Sequence, residues 1–519
     1  MFFSLLSTLC LGLPVSYAYP CETQDSPRPI VTLIDGIVTG KASQAPSAPH
    51  LTVHQYLGVP FAESPPKRFA PPEDPAPWKS PWDAGHFRSS CIQHFPGDGF
   101  RAIFNTPPIP ESEDCLYLNV FTPSTVPSEG LPVLFWIHGG SFSLGSARVP
   151  DFDGSSFAAN QGVVVVTINY RMNVFGFPGS SAIPLEQRNV GLLDQRKALS
   201  WVNKNIQAFG GDPSKVTIFG ESAGGWSVKQ LLINPPSPPQ FRAAILQSQA
   251  FGPQADNKQS WDALVKELNC NKSNTASSDL ECVANAEVNS IRRVLQSRGL
   301  AFSPIFDNST NGPVFLDAIN QNLTAQVPIL IGTNADEGTV LASVMPPPEL
   351  LLDGIFGNDT ASKRLAHSAY PVDATDDELK SLITTDYTYT CTTSMIARTA
   401  ASAGQQVWRY YFNATFPNNQ PFPEAGVWHT SEIPLVFGTY KEDNRTSVEQ
   451  RRLSQTMQQA WGDFARSPDS GPGWAAVGTG TNDLRLFDAD EAVFGQSLES
   501  KVVDEICTCY DAELITNGF

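Results

Sequence analysis

Beyond its first residues, the 519-residue sequence has no apolar run of the roughly 20 residues that a membrane-spanning helix requires. It is also poor in basic residues, because 34 Lys and Arg stand against 52 Asp and Glu, and the formal net charge is −18. Proteins neutralise nucleic-acid phosphates with basic side chains, so this composition argues against a nucleic-acid partner. We expect neither nucleic-acid binding nor stable membrane insertion; the composition does not predict the oligomeric state.

Paired Cys-x-x-Cys motifs, which hold many structural metal ions, are also absent, and we predict no metal site. The length alone favours several domains. However, no low-complexity linker, charge block or internal repeat divides the chain. We therefore predict one large domain over residues 19–519.

The N-terminus carries an uncharged run of apolar or small residues, Phe2 to Tyr17, which ends in the small-x-small pattern Ser16-Tyr17-Ala18. This pattern predicts a signal peptide over residues 1–18 and a secreted, extracellular protein. A membrane anchor or a buried strand is the alternative, but the run is short and Gly12 and Pro14 interrupt it. Six Asn-x-Ser/Thr triplets are candidate glycosylation sites on this route: Asn271, Asn308, Asn322, Asn358, Asn413 and Asn444.

Nine cysteines become eight if Cys10 leaves with the signal peptide, and an even number in an exported chain suggests disulfides. By spacing, one pair would close a loop of moderate length and another a short loop: Cys91 with Cys115, and Cys270 with Cys282. Spacing leaves four residues unassigned: Cys21, Cys391, Cys507 and Cys509. A Cys507–Cys509 bond would be strained, so each of these two is expected to have a distant partner.

Alternating strands and helices predict an α/β layered fold. Apolar runs predict strands at residues 132–137, 162–168, 215–219 and 327–332, of which the first two suit the centre of a mostly parallel sheet covered on both faces. Apolar residues recur at helical spacing over residues 192–206 and predict a helix there. Prolines crowd residues 60–82 and exclude a regular helix or central strand.

Ser222 lies in the motif Gly220-Glu221-Ser222-Ala223-Gly224, directly after a predicted strand. A serine hydroxyl becomes a good nucleophile only when a base takes its proton, so it must project from a tight turn that a histidine can reach. A Gly-x-Ser-x-Gly match arises by chance on the order of 0.2 times in a chain this long, and a glycine-rich surface turn is the alternative. The preceding strand favours Ser222 as a nucleophile.

A base and an acid should follow such a serine in the chain order Ser, acid, His. Only His367 and His429 lie beyond Ser222. His367 lies in a polar, helix-like stretch and resembles a surface residue, whereas an aromatic loop surrounds His429, which is the predicted base. Asp336 and Glu337 follow a predicted strand, at the edge where sites form in open α/β sheets, and composition does not choose between them.

Backbone N–H donors for a developing oxyanion are predicted in the turn that follows the strand at residues 132–137. This turn reads His138-Gly139-Gly140-Ser141-Phe142, and the N–H of Ala223 would add a further donor. The alternative is an ordinary strand-to-loop turn.

Taken together, these motifs resemble those of the type-B carboxylesterase and lipase family, which includes cholinesterases and fungal lipases. The resemblance extends over roughly residues 30–510. It implies an α/β-hydrolase fold, with a mostly parallel central sheet flanked by helices and large insertions. The motifs that carry it are Tyr56-Leu57-Gly58-Val59-Pro60-Phe61-Ala62, Glu113-Asp114-Cys115-Leu116-Tyr117-Leu118-Asn119-Val120, Asn169-Tyr170-Arg171, Phe219-Gly220-Glu221-Ser222-Ala223-Gly224-Gly225, Asp336-Glu337-Gly338-Thr339 and His429-Thr430-Ser431-Glu432-Ile433-Pro434.

The resemblance implies that Ser222 is the nucleophile, Glu337 rather than Asp336 the acid, and His429 the base. It also implies two disulfides, Cys91–Cys115 and Cys270–Cys282, and oxyanion donors at Gly140, Ser141 and Ala223. Family members usually have glycine where this chain has Ser141. The backbone donor remains, but the resemblance does not fix the shape of the loop or the acyl space around it.

The resemblance therefore predicts a serine carboxylesterase that acts through an acyl-enzyme on a small-molecule or lipid ester, without a cofactor. Cholinesterases hold quaternary ammonium on a tryptophan in the loop of the first disulfide, and residues 92–114 contain none. Choline esters are therefore not expected as dedicated substrates. A lipase or sterol esterase is the nearer alternative, although this loop is shorter than the lid of fungal lipases. A catalytically silent binding protein is the more distant alternative.

Overall fold

The structure is a computed structural model that describes residues 28–104, 107–249, 255–271, 275–490, 492–512 and 514. The predicted signal peptide, Cys10 and Cys21 lie outside these residues. No helix among the described residues is long and apolar enough to cross a membrane.

The strands of the described residues are β1 (Ile30–Leu33), β2 (Gly36–Thr39), β3 (Lys41–Ala45), β4 (Ala48–Pro60), β5 (Trp82–Asp83), β6 (Tyr117–Pro123), β7 (Leu131–Ile137), β8 (Val164–Ile168), β9 (Gly211–Glu221), β10 (Ala243–Gln247), β11 (Ile329–Asn334), β12 (Val407–Phe412), β13 (Leu484–Phe487) and β14 (Ser497–Leu498).

The α-helices are α1 (Asp98–Phe104), α2 (Ser155–Gln161), α3 (Asn173–Gly176), α4 (Val190–Asn205), α5 (Ala223–Ile233), α6 (Asn257–Glu267), α7 (Ala276–Ala284), α8 (Val288–Arg298), α9 (Phe315–Asn320), α10 (Pro348–Phe356), α11 (Thr360–Ser368), α12 (Asp376–Ile383), α13 (Thr392–Ser402), α14 (Ile433–Phe437), α15 (Val448–Arg466) and α16 (Lys501–Asp504). A π-helix, Thr384–Cys391, joins α12 to α13.

Eleven strands form one large sheet in the order β14-β13-β12-β11-β10-β9-β7-β8-β6-β4-β3. Its seven central strands, from β13 to β8 in this order, pair in parallel, and the strands at both ends pair antiparallel. A small second sheet contains β1, β2 and β5. The prediction of a mostly parallel sheet flanked by helices is therefore confirmed.

The central strand β7 is buried at every position, and its sequence is accordingly an unbroken apolar run. Val133, Phe135 and Ile137 point into a core on one face of the sheet, whereas Leu134 and Trp136 point into a second core on the other face. Successive residues of a strand face opposite sides, so a strand between two helical layers must be apolar at every position.

The predicted strands and helix exist, but some boundaries differ. The strand expected over residues 162–168 begins at Val164, because Gly162 ends helix α2 in the left-handed region with a φ of 61°. Strand β9 is longer than predicted, and β11 begins and ends two residues later. Residues 60–82 contain no helix, as their prolines predicted.

Three parallel strands deliver the predicted site residues to the same edge of the sheet. Strand β9 ends directly before Ser222, β7 ends directly before the His138 turn, and β11 ends three residues before Glu337. The carboxyl ends of parallel strands meet at one edge, which is where ligand sites form in open α/β sheets.

Candidate active site

Ser222 lies at the sharp turn between β9 and α5, with a φ of 56° and a ψ of −122°. An L-residue rarely adopts a positive φ, so the surrounding structure must hold this strained conformation. The turn needs glycine at Gly224 because the chain after β7 passes close to it. A Cβ on Gly224 would lie 2.0 Å from the carbonyl oxygen of Ile137. No other residue fits there without moving the backbone.

His429 and Glu337 form a buried pair, with His429 Nδ1 2.6 Å from Glu337 Oε2. The other carboxylate oxygen, Oε1, accepts a hydrogen bond from the backbone N–H of Asn334 at 2.8 Å. The ring of Tyr389 packs on the imidazole with centroids 4.9 Å apart. His429 and Ser222 line the same cavity, so the structure brings all three predicted triad residues to one place.

The two rejected candidates have other surroundings. His367 is exposed on α11, and it does not line the cavity that holds Ser222. The carboxylate of Asp336 accepts a hydrogen bond from the backbone N–H of Val427 at 2.7 Å, and therefore holds the loop that carries His429. Glu337, and not Asp336, contacts the imidazole.

The turn after β7 lines the cavity beside Ser222. Gly140 and Ser141 adopt φ values of 105° and 53°, and a Cβ on Gly140 would lie 2.2 Å from the carbonyl oxygen of Leu144. Ser141 thus occupies the left-handed conformation that favours glycine, although it is not a glycine. Among the described residues, no backbone group accepts a hydrogen bond from the N–H of Gly140, Ser141 or Ala223.

Two further carboxylates lie near His429, and the sequence analysis assigned no role to either. Glu221 Oε1 is 3.1 Å from His429 Nε2. Glu432 accepts hydrogen bonds from Asn334 Nδ2 at 2.7 Å and from Gln247 Nε2 at 3.0 Å. The position of Glu221 next to the serine was a signal that it lies at the site, whereas nothing in the sequence indicated that Glu432 is fully buried.

The environment shifts the pKa of each of these groups. Burial raises the pKa of Glu221 well above its ordinary value. Burial, followed by the charge of Glu337, raises the pKa of Glu432 to about 7. Burial opposes a positive charge on His429, but Glu221, Glu337 and Glu432 together outweigh it and raise the pKa of His429 to about 9.

The cavity has a volume of about 890 Å³ and mostly apolar walls. They are formed by α1, by the turn after β7, by α10 and by the π-helix. Trp428, next to His429, lines it too and packs 6.4 Å from Phe104 of α1. The cavity wall therefore contains a tryptophan, Trp428, although residues 92–114 in the loop of the first disulfide contain none.

The structure contains the disulfides Cys91–Cys115 and Cys270–Cys282, as the resemblance implied. A third, Cys391–Cys507, gives Cys507 the distant partner that was predicted. Cys509 forms no disulfide with a described residue, so a distant partner for it stays a prediction. The asparagines of all six Asn-x-Ser/Thr triplets are exposed.

Comparison with known proteins gives one consistent family. The model of the carboxylesterase family matches residues 27–502. A para-nitrobenzyl esterase of Bacillus subtilis is 34% identical over 480 residues, which cover 88% of this chain and 95% of that protein.

Two other relatives have similar coverage. Secreted lipase 5 of Gibberella zeae is 31% identical and covers 90% of this chain and 91% of its own length. A fumonisin B1 esterase of Sphingopyxis macrogoltabida is 32% identical, with 81% and 80% coverage. With this match along most of its length, the chain belongs to the carboxylesterase family, which has the α/β-hydrolase fold, and it is a carboxylic-ester hydrolase.

Proposed function

We propose that this protein is a secreted serine carboxylesterase in which Ser222, His429 and Glu337 form the catalytic triad. The observation that supports it most strongly is the 2.6 Å contact between His429 and Glu337, with Ser222 on the wall of the same cavity. The strained turn at Ser222 is a second support, because a nucleophilic serine must project from such a turn.

The reaction proceeds in two acyl transfers. His429 Nε2 takes the hydroxyl proton of Ser222 while Oγ attacks the ester carbonyl, and the N–H groups of Gly140, Ser141 and Ala223 hold the oxyanion. The C–O bond to the alcohol then breaks, and the alcohol leaves with the proton from His429. Water, deprotonated by the same nitrogen, cleaves the acyl-enzyme. Glu337 orients the imidazole and stabilises its positive charge.

Substitution of the triad tests this assignment directly. Ser222→Ala and His429→Ala should each abolish hydrolysis of a short p-nitrophenyl ester, while circular dichroism and the melting temperature show a folded protein. His367→Ala is the matched control, and it should keep full activity because His367 is exposed on α11. Activity retained by either triad variant, in protein free of wild-type enzyme, would refute the assignment.

We propose dissolved rather than emulsified esters as the preferred substrates. The supporting observation is the short helix α1, of seven residues, inside the loop of the first disulfide. The relative named as a lipase keeps the alternative open. An acyl-chain series measured below and above the solubility limit decides between them, because a rise in rate above that limit would favour the lipase.

Secretion is part of the same proposal, and rests on the N-terminal run of residues 1–18 and the disulfides. Mass spectrometry of the protein from the culture medium should find a chain that begins after Ala18. The same spectra should detect glycans on one or more of the exposed asparagines. An intracellular protein that retains Met1 would contradict secretion.

A further inference from the structure

Asp151 is a carboxylate on the wall of the substrate cavity that the proposed mechanism does not use. It lies in the short turn Pro150–Phe152 and is exposed to solvent, although neighbouring protein atoms partly desolvate its carboxylate. Among the described residues, none donates a hydrogen bond to its carboxylate or forms an ion pair with it. The cavity therefore contains one acidic group without a protein partner of its own.

The walls beside Asp151 are apolar. The next residue, Phe152, packs against Trp136 and Phe437 with centroids 5.2 and 6.1 Å apart. Burial accordingly raises the pKa of Asp151 to about 6, which still leaves it ionised at neutral pH. When a bound molecule displaces the remaining water from these apolar walls, its donor gains more from the carboxylate than it would in water.

The turn that carries Asp151 contacts the segment of chain that follows His429. The turn packs against α14, which follows His429 closely in the chain. Thr439, just after α14, donates a hydrogen bond to the backbone oxygen of Asp151 at 2.9 Å. In the proposed mechanism His429, which lines the same cavity as Asp151, returns its proton to the departing alcohol.

We propose that Asp151 is a specificity-determining residue, whose carboxylate accepts a hydrogen bond from a protonated amine or a hydroxyl carried by the alcohol part of the ester. The inference rests on the proposed function and adds a substrate class to it: esters of amino alcohols and of polyhydroxy alcohols.

A pair of esters of one acid, nearly equal in shape, tests the proposal. The 2-(dimethylamino)ethyl ester carries a protonated N–H, and the 3-methylbutyl ester has a C–H in its place. The pH is set above the pKa of Asp151 and below that of the amine. Wild-type kcat/KM should be higher for the amino ester by about tenfold or more, since a hydrogen bond to a charged group contributes roughly 1.5–3 kcal/mol.

Asp151→Asn should bring the ratio of the two kcat/KM values close to one. Asp317→Asn, a change of the same chemistry on the exposed side of α9, is the control and should keep the wild-type ratio. A wild-type ratio near one, or a ratio that Asp151→Asn leaves unchanged, would overturn the proposal. Hydrolysis of a short p-nitrophenyl ester is measured alongside. If wild-type protein does not hydrolyse that ester either, the proposed function itself fails, whereas hydrolysis of the p-nitrophenyl ester with no preference for the amino ester overturns only the role of Asp151.

A second measurement needs no variant. In wild-type protein, 2-(dimethylamino)ethanol should inhibit hydrolysis of a p-nitrophenyl ester at about tenfold lower concentration than 3-methyl-1-butanol does. Equal inhibition by the two alcohols would overturn the proposal even if Asp151→Asn proved unstable.

Discussion

At the scale of single residues, carboxylates surround the imidazole of His429. Glu337 contacts Nδ1, and Glu221 lies 3.1 Å from Nε2, the nitrogen proposed to face the serine. Together with Glu432 they outweigh burial and raise the pKa of His429 to about 9. A general base must be neutral to accept a proton, so the charge on this ring limits the pH range of the proposed reaction.

We expect kcat/KM for a neutral ester to rise with pH along an acid limb above the ordinary histidine pKa of about 6.5. Below the raised pKa the imidazole is protonated and cannot take the proton of Ser222, and above it the ring is neutral. Glu221→Gln removes one of the charges that raise this pKa, so the acid limb should move to lower pH. The measurement is the pH dependence of kcat/KM for a short p-nitrophenyl ester.

Glu186→Gln is the matched control for that profile, because Glu186 is exposed and does not line the cavity. Its acid limb should coincide with that of wild-type protein. A limb that stays in place in Glu221→Gln, or moves to higher pH, would contradict the electrostatic account of His429.

Residue identities at the site were predictable to different degrees, for physical reasons. Ser222 and His429 followed from one motif and from chain order, because few serines lie in such a turn and few histidines lie beyond it. Asp336 and Glu337 follow the same strand, so only the bend of the chain after β11 decides which one reaches His429. The role proposed for Asp151 rests on the absence of a described side chain that donates to its carboxylate, and sequence patterns do not contain that information.

At the scale of elements, a buried ion pair joins the end of β8 to helix α4. Arg171 donates two hydrogen bonds to Asp194, at 2.8 and 2.7 Å, and both side chains are buried. The backbone N–H of Arg171 donates to the same carboxylate at 3.0 Å. Arg171 belongs to a motif that carried the family resemblance, and the structure gives this motif an architectural role.

Asp194→Ala should lower the free energy of unfolding by about 3–5 kcal/mol, because it leaves the guanidinium of Arg171 buried without its partner. Asp262→Ala is the control, since it removes the carboxylate of the exposed ion pair with Lys258 on α6. That change should leave the free energy of unfolding almost unchanged, because solvent screens an exposed pair. Urea unfolding measures both, and equal losses would contradict the importance of burial.

Helices and strands were predictable from the sequence where burial determines which positions must be apolar. Strands β7 and β8 are covered on both faces, and their unbroken apolar runs therefore reveal them. Residues 212–215, near the start of β9, are not buried and show no such run, which explains the missed boundary. The π-helix Thr384–Cys391 is rich in threonine and tyrosine and has no apolar run that would have indicated it. It packs against the C-terminal segment, residues 501–509.

At the scale of the whole molecule, the disulfide Cys391–Cys507 links the π-helix to the C-terminal segment across 116 residues of sequence. A third apolar cluster surrounds it and includes Tyr387 and Tyr510. The π-helix also supplies Tyr389, which packs on the ring of His429. The C-terminal segment thereby supports a wall of the substrate cavity from outside.

Replacing Cys391 and Cys507 by serine should lower the free energy of unfolding more than replacing Cys270 and Cys282, whose sequence separation is only 12. Chain entropy grows with the logarithm of loop length, and the separations of 116 and 12 predict a difference of about 2 kcal/mol. Both pairs are changed in a Cys509→Ser background, which prevents Cys509 from taking the place of Cys507. Urea unfolding gives the two free energies. Hydrolysis of a p-nitrophenyl ester should fall only in the variant without Cys391–Cys507, because only that disulfide supports the cavity wall. An equal or larger loss from the short loop would contradict this account of the C-terminal segment.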